Sequence, residues 1–441
     1  MSTAAPDPFA GTWRDFLIRP GADLAAKATA LTAWADARVR SGGFPFARRL
    51  SGPPGPAIVL RGLDGVAQSG LNFSSQDYLG LATHPEITHA ACVAVARHGV
   101  HSTGTAALAG AFEGWDELEG LLAEHLAMPC VMLCPSGWAA GYGAVRALVR
   151  ETDHVLLDAL AGNCLREGAA AATKNLHRYR HLDLQHAREK LTTIRRRDAT
   201  NGILLATESL FAVDATSPDL IGLQSLCREF GAMLLVDVSH DLGCLGPDGT
   251  GLLGRQGLHG QVDLVVGSLA KTFASNGGFV ATHRRAIREY LRYFSPPQTF
   301  SSALSPVQIA VILAALRIVR SAEGERRRAG VLAAANALRG GLAARGTKVL
   351  GTPAPLVPVL IGRESVGRIA AKLAAESGVL VNLVEAPLVP RHASRLRMQV
   401  TSLHEPSTCE AAARRVANAI TRAIQIGANL TSARATGSAS D

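Results

Sequence analysis

Two pairs of polar residues follow apolar, strand-like runs at a spacing that suits cofactor chemistry. Residues 232–237 end in Asp237, with His240 three positions later, and residues 262–266 lead through Ser268 to Lys271. A partly desolvated lysine near a phosphate loses its proton readily and forms Schiff bases. A carboxylate paired with a ring nitrogen keeps that ring protonated and able to withdraw electrons. Taken alone, such an aspartate is more often a helix cap or a metal ligand, but the spacing of the two pairs favours cofactor chemistry.

A third segment could bind a phosphate. The strand-like run 130–134 is followed by Ser136, Gly137 and Trp138, which open a helix-like segment at 138–150. The first turn of a helix carries backbone N–H groups without intrahelical partners, and these bind anions. A plain serine N-cap is the alternative interpretation.

The elements that must position these residues alternate between strand and helix. Strand-like runs occur at 130–134, 153–157, 202–207, 232–237, 262–266 and 278–281, with helix-like segments between them. This alternation predicts an α/β fold with a large, mostly parallel sheet, whose ligands bind at the carboxyl ends of the strands. We expect an N-terminal arm and helix at 1–70, a large domain at 71–325, a small α+β domain at 326–425 and a disordered tail at 426–441.

Composition narrows the class of protein. The 441 residues are 47% hydrophobic and carry a net charge of +9, which favours acidic partners such as a nucleoside-phosphate thioester or an acidic carrier protein. The basic residues are scattered and aromatic residues make up only 5%, so we expect no nucleic-acid partner. Seven irregularly spaced cysteines indicate neither disulfides nor a zinc site, and no metal is predicted. With no leader-like start and no membrane-length apolar run, a cytoplasmic enzyme is predicted.

In this order, the three segments resemble the α-oxoamine synthase family of pyridoxal-phosphate (PLP) enzymes, from about residue 70 to about residue 425. Supporting motifs are Asp77-Tyr78-Leu79-Gly80, Phe300-Ser301-Ser302 and Arg395-Leu396-Arg397. Gly137-Trp138 and the segment 268–274 look closest to the branch of the autoinducer synthase CqsA. The resemblance implies PLP transferase fold type I, the fold of aspartate aminotransferase.

The resemblance also implies a role for each matching residue. Lys271 would bind the cofactor and later move the substrate α-proton, Asp237 would pair with the pyridine nitrogen, and His240 would bond the 3-oxygen of the ring. Arg397 would hold the amino-acid carboxylate, and Gln76 is a further substrate-binding candidate. The residues implied around the phosphate are Ser136, Gly137, Trp138, Ser268 and, from the other subunit of a homodimer, Ser302.

Several positions depart from the pattern of the family. The histidine that stacks on the cofactor ring, in the pattern Asp-x-x-x-His-x-Ser, is replaced by Gly162, and Asn163 is a candidate to fill the space. Other departures are Gln76 and Gly141, each in place of asparagine, Ala106 in place of arginine, Trp115 in place of histidine, and Ala212-Val213-Asp214-Ala215 in place of Ser-Met-Asp-Gly. Electron-sink chemistry is retained through Asp237 and Lys271, but the choice of amino acid is open.

The resemblance therefore predicts a PLP-dependent acyltransferase. It would condense an amino acid with an acyl thioester, on coenzyme A or a carrier protein, and lose carbon dioxide to give an α-amino ketone in a specialised biosynthetic pathway. A PLP aminotransferase or lyase on the same fold is one alternative, and a non-catalytic partner subunit of such a synthase is another.

Overall fold

A computed structural model describes residues 9–17 and 23–437. These residues form two compact units. The first unit contains the chain up to Ser75, the short segment Val213–Ala215 and the chain from Gly330 onward, and the second contains Gln76–Ala212 and Thr216–Ala329. The described N-terminal residues thus share a unit with the C-terminal part of the chain. The domain boundaries at 70, 325 and 425 remain predictions.

Both classes of secondary structure are distributed over the described residues. The strands are β1 (Arg49–Ser51), β2 (Ala57–Arg61), β3 (Ala67–Phe73), β4 (Cys130–Cys134), β5 (His154–Asp158), β6 (Leu176–Tyr179), β7 (Ile203–Glu208), β8 (Met233–Asp237), β9 (Leu264–Ser268), β10 (Gly278–Thr282), β11 (Lys348–Val349), β12 (Leu356–Gly362), β13 (Val379–Val384) and β14 (Ser394–Gln399). The α-helices are α1 (Arg14–Leu17), α2 (Ala26–Arg40), α3 (Pro85–His98), α4 (Trp115–Leu126), α5 (Gly137–Leu148), α6 (Asn163–Ala172), α7 (Leu184–Arg197), α8 (Leu220–Glu229), α9 (Gly251–Arg255), α10 (Arg285–Phe294), α11 (Pro296–Phe300), α12 (Pro306–Val319), α13 (Ala322–Ala343), α14 (Glu364–Glu376) and α15 (Pro406–Gly437).

The second unit is built on a sheet with the strand order β4-β10-β9-β8-β7-β5-β6. Every residue of β4, β5 and β7 is buried, as expected for strands that are covered by helices on both faces. The strands from β9 to β6 pair in parallel, whereas β10 runs antiparallel to both β4 and β9. The prediction of a large, mostly parallel α/β sheet is confirmed. The first residue of β10, Gly278, therefore lies at the same edge as the carboxyl ends of β4 and β9.

The first unit contains a second sheet, ordered β1-β2-β3-β13-β14-β12-β11. Of its strand pairs, only β3 and β13 run parallel. Strand β14 carries Arg397 opposite Asn382 of β13 on one side and opposite Pro358 of β12 on the other. The small α+β part of the predicted fold is thus present, with Arg397 on a central strand.

The C-terminal segment differs from the prediction. Helix α15 runs from Pro406 to Gly437 and so covers most of the segment 426–441 that the sequence predicts to be disordered. Alanine is the best helix former, and the alanines of this segment favour continuation of the helix. Residues 438–441 lie outside the described residues. Within the described parts of the chain, every helix is too short or too polar to cross a membrane.

Candidate active site

The predicted residues of the second unit converge on one edge of its sheet. Strand β8 ends at Asp237 and the neighbouring strand β9 ends at Ser268, so two parallel strands deliver both to the same edge. Gly278 pairs with Ser268 on one side and with Cys134 on the other. Because Cys134 directly precedes the loop to α5, this pairing places the start of α5 beside Ser268.

Asp237 is a buried carboxylate, with the residue 8% exposed. Its Oδ1 accepts a hydrogen bond of 2.8 Å from the backbone N–H of Ser239. Burial raises the pKa of Asp237, whereas hydrogen bonds from Ser239 and the charge of Lys271 lower this pKa. The hydroxyl oxygen of Ser239 in turn accepts a bond of 2.9 Å from the backbone N–H of Ser268. Asp237 is therefore held in a fixed orientation at the strand end.

Lys271 follows β9 by three residues and is partly buried. Its charge acts on the carboxyl groups of both Asp237 and Glu208. The structure thus brings together Lys271 and Asp237, which lie 34 positions apart in the sequence. A cation together with two buried carboxyl groups forms the kind of ionisable cluster that is typical of functional sites.

The start of α5 forms a narrow cradle with Ser268. Ser136 is the N-cap of α5, and its hydroxyl oxygen accepts a hydrogen bond of 3.1 Å from the backbone N–H of Ala139. A Cβ atom added at Gly137 would lie 2.4 Å from the Cβ of Ser268, and one added at Gly278 would lie 2.4 Å from the carbonyl oxygen of Ser136. Only glycine allows these backbones to approach so closely, and the approach brings helix N–H groups and two hydroxyls together.

Trp138 and His240 flank this edge of the sheet. Trp138 is 50% exposed and stacks on Tyr142, with ring centroids 4.9 Å apart. His240 is buried, and its Nδ1 lies 2.8 Å from the hydroxyl oxygen of Tyr78. The Tyr78 backbone N–H donates to the carbonyl oxygen of Gln76 at 3.0 Å, so the segment that contains Gln76 is tied to the same edge.

We predict that Gly137→Ala weakens binding of a phosphate-bearing cofactor by about tenfold to a hundredfold, because the added methyl group must displace Ser268 at a cost of roughly 1–3 kcal/mol. Fluorescence or absorbance titration of the apoprotein with PLP measures the change. Gly120→Ala in α4 is the matched control, because a Cβ there would meet nothing within 4 Å. Equal PLP affinity of Gly137→Ala and Gly120→Ala would contradict the assignment of the cradle as the phosphate site.

Sequence reasoning missed Glu208, the last residue of β7. Glu208 is in register with Asp237 on the neighbouring parallel strand and is 6% exposed. Backbone N–H groups of Gly162 and Ala212 donate to its carboxyl group, and burial followed by the charge of Asp237 raises its pKa well above the ordinary value. The available signal was its position: like Asp237, it ends an apolar strand-like run.

The space left by the missing stacking histidine, at Gly162, borders Glu208. A Cβ added at Gly162 would lie 3.1 Å from Oε1 of Glu208. Asn163, the candidate for filling this space, is exposed and accepts a hydrogen bond of 3.2 Å from Arg166. The carboxyl group of Glu208 therefore borders this space, whereas the amide oxygen of Asn163 is bonded to Arg166.

Gly141, a further departure from the family pattern, lies against Cys164. Cys164 is buried, and its Sγ lies 4.0 Å from Oδ2 of Asp237. Burial raises the pKa of Cys164, with the charges of Asp237 and Glu208 as additional causes, so the thiol keeps its proton. A Cβ added at Gly141 would lie 2.8 Å from this Sγ. Gly141 therefore makes room for the thiol beside Asp237.

We expect Gly141→Ala to lower the free energy of unfolding by about 1–3 kcal/mol through overpacking against Cys164. Adding Cys164→Ala should recover most of this loss, since it removes the colliding sulfur and couples the two sites. Denaturant unfolding of the two single variants and the double variant measures the coupling, with Gly120→Ala as the helix control. If the changes in unfolding free energy of the two single variants simply added in the double variant, the predicted collision between the methyl group added by Gly141→Ala and Cys164 would be contradicted.

The last two predicted residues are Ser302, in the second unit, and Arg397, in the first. Ser302 is exposed and forms an isolated antiparallel bridge with Thr105 of the same unit. Arg397 belongs to the first unit, on β14. The roles of both residues, like those of the clustered residues, remain predictions.

A model of the family described as aminotransferase class I and II matches residues 68–416 of this chain. The chain belongs to the aminotransferase class I and II family. Within this family, an 8-amino-7-oxononanoate synthase from Anaeromyxobacter dehalogenans is 35% identical over 361 residues, which cover 81% of this chain and 88% of the relative. This similarity places the chain in the α-oxoamine synthase group of the family and confirms the resemblance predicted from the motifs.

A second relative is longer. A Mycobacterium tuberculosis protein named 8-amino-7-oxononanoate synthase 2 is 33% identical over 371 residues, which are 84% of this chain. The chain spans about half the length (47%) of that relative. The activity of the longer protein is therefore not carried over directly.

A solved structure confirms the PLP transferase fold type I. A serine palmitoyltransferase variant from S. paucimobilis, with a bound PLP–myriocin aldimine, matches with a TM-score of 0.84 at 25% identity and covers 91% of this chain and 99% of that chain. PLP is the cofactor of this family. The residues present fit it: the Gly137–Ser268 cradle offers helix N–H groups and hydroxyls to a phosphate, and Asp237 offers a buried anion to a ring nitrogen.

Proposed function

We propose that this protein is a PLP-dependent acyltransferase that condenses an amino acid with an acyl thioester and releases carbon dioxide and an α-amino ketone. The acyl group would be carried by coenzyme A or by an acyl-carrier protein. One observation carries the proposal: Lys271, buried Asp237 and the Gly137–Ser268 cradle meet at one sheet edge, in a chain similar to 8-amino-7-oxononanoate synthases.

The chemistry divides between the cofactor and the chain. When bound, PLP supplies an electron sink for the bonds at the substrate α-carbon. Asp237 would keep the ring nitrogen protonated, because a buried carboxylate attracts a cation strongly where the local dielectric is low. His240, whose Nδ1 lies 2.8 Å from the hydroxyl oxygen of Tyr78, would hydrogen-bond the 3-oxygen of the ring. Lys271 would provide the amine that holds the cofactor and would then take the α-proton at its Nζ atom.

Substrate orientation is assigned to Arg397 and Gln76. The planar guanidinium of Arg397 forms two parallel hydrogen bonds with the amino-acid carboxylate, which selects the bond to be broken by its direction. Gln76 stands in place of the family asparagine and contacts the substrate with its amide.

The active enzyme is proposed to be a homodimer, in which Ser302 binds the phosphate held by the other subunit. Phe300, two residues before Ser302, is 85% exposed. Leu108, three residues after the bridge partner Thr105, is 86% exposed. Association surfaces are marked by contiguous exposed apolar patches, and we propose that Phe300 and Leu108 contribute to such a patch. Light scattering of the purified protein measures the subunit number.

The departures at Gly162, Gly141 and Ala212 support a specialised biosynthetic role. Gly162 and Ala212 adjoin Glu208, and Gly141 adjoins Cys164, whose sulfur lies 4.0 Å from Oδ2 of Asp237. At these positions substrate control would be altered while the electron sink is kept. The cytoplasmic location of the enzyme remains a prediction.

The test combines amino-acid and thioester panels. Each of the twenty amino acids is titrated into the PLP-loaded protein while absorbance is followed, and amino acids that shift the spectrum are then paired with acyl thioesters of different length. Release of free thiol together with carbon dioxide is the expected result. Amino-group transfer without thiol release would indicate an aminotransferase or lyase, and a protein that never binds PLP would indicate a non-catalytic partner subunit.

A further inference from the structure

Beside the cofactor-binding residues, two buried carboxyl groups lie on neighbouring strands. Glu208 and Asp237 are the last residues of β7 and β8 and are paired in register. Residues paired in register on parallel strands project to the same face of the sheet, so both carboxyl groups occupy one side of the edge. Both residues are more than nine-tenths buried, at 6% and 8% exposure.

Two carboxylates at such proximity in a low dielectric do not both ionise, because each charge disfavours the other. Burial raises the pKa of both carboxyl groups, and the charge of Asp237 raises that of Glu208 further. In the protein without cofactor, the charge of Lys271 acts on both groups, and in the loaded protein a protonated ring nitrogen would face Asp237 instead. In either state one cation compensates one negative charge, so the pair retains one proton.

The hydrogen-bond donors around the two carboxyl groups decide which of them is ionised. Asp237 receives hydrogen bonds from the backbone and side chain of Ser239 and has the thiol of Cys164 at 4.0 Å from its Oδ2. The carboxyl group of Glu208 accepts hydrogen bonds from the backbone N–H groups of Gly162 and Ala212, and the charge of Asp237 raises its pKa. More donors stabilise the carboxylate form more strongly, which favours the anion on Asp237.

We infer that Glu208 and Asp237 share one proton and that Glu208 carries it, so that Glu208 is a positioning residue that keeps Asp237 as the single anion facing the cofactor nitrogen. The protonated Glu208 also borders the space that Gly162 leaves open, where its carboxyl group presents a neutral polar surface. The inference rests on the proposed role of Asp237, but it is tested without any substrate.

The direct test is infrared difference spectroscopy of the PLP-loaded protein. A protonated carboxyl group gives a carbonyl band that is separate from the bands of carboxylates. We expect this band to be lost in Glu208→Gln and retained in Glu119→Gln, which removes another buried carboxyl group of the second unit. Retention of the full band in Glu208→Gln would overturn the inference.

A second measurement compares the cofactor spectra of the variants. Glu208→Gln keeps a neutral, hydrogen-bonding side chain, so we expect the absorbance of the bound cofactor and its pH midpoint to remain as in the wild-type protein. Asp237→Asn should shift both. Equal shifts in the two variants would show that Glu208 is the anion or an equal partner, which contradicts the inference.

If Glu208→Gln fails to fold, isotope labelling tests the inference in its place. Wild-type protein is then labelled with carboxyl isotopes in glutamate or in aspartate. A band that moves with labelled glutamate in both the wild type and Glu119→Gln supports the inference, and a band that moves only with labelled aspartate overturns it. Failure of the condensation reaction affects neither measurement, so the two proposals fail separately.

Discussion

Lys271→Ala is expected to lower the rate of α-proton exchange and of product formation by about a thousandfold to ten-thousandfold, because it removes the group assigned to proton transfer. The same substitution should abolish trapping of the cofactor on the protein by borohydride. Exchange of the amino-acid α-proton for deuterium, followed by NMR, measures the first effect, and mass spectrometry of the reduced protein measures the second.

The matched control for this substitution is Lys174→Ala. Lys174 is an exposed lysine of the same unit, in the turn that precedes β6. It should retain both proton exchange and borohydride trapping at wild-type levels. If Lys271→Ala still carried a borohydride-fixed cofactor, another lysine would hold PLP and the assignment of the site would be wrong.

Asp237→Asn is expected to lower the rate of product formation by about a hundredfold to a thousandfold, the effect of losing one preorganised charge contact to the transition state. The protein should nevertheless fold with equal or greater stability. Burial raises the pKa of Asp237 above its unfolded value, so the ionised group costs folding free energy above that pKa, and the neutral amide removes this cost. Steady-state kinetics and thermal unfolding separate the two effects.

Asp237→Glu tests whether charge alone is sufficient. It keeps the carboxylate but lengthens the side chain beside Glu208 and Cys164, so we expect partial activity between the wild type and Asp237→Asn. Activity of Asp237→Asn within a few-fold of the wild type would contradict the role of Asp237 as the partner of a ring nitrogen.

Local patterns in the sequence were sufficient to predict the main strands of the second unit. Strands with buried apolar runs, such as β4 and residues 203–206 of β7, stand out in the sequence because burial on both faces requires uninterrupted hydrophobic residues. The short strand β6 was not predicted, since its residues 176–179 include a histidine and an arginine at the edge of the sheet. Edge strands are only partly buried and carry a weaker pattern.

The sequence by itself determined which groups are available: a lysine and an aspartate at strand ends, a serine-glycine start of a helix, and the replacement of the stacking histidine by Gly162. These features depend on residue type and short-range spacing. The tertiary structure decided which of these groups meet. It placed Glu208 beside Asp237 through strand pairing, fitted Cys164 against Gly141, and brought Ser268 onto Gly137 through the antiparallel strand β10. Such contacts join residues that are far apart in the chain, and only strand register and side-chain packing fix them.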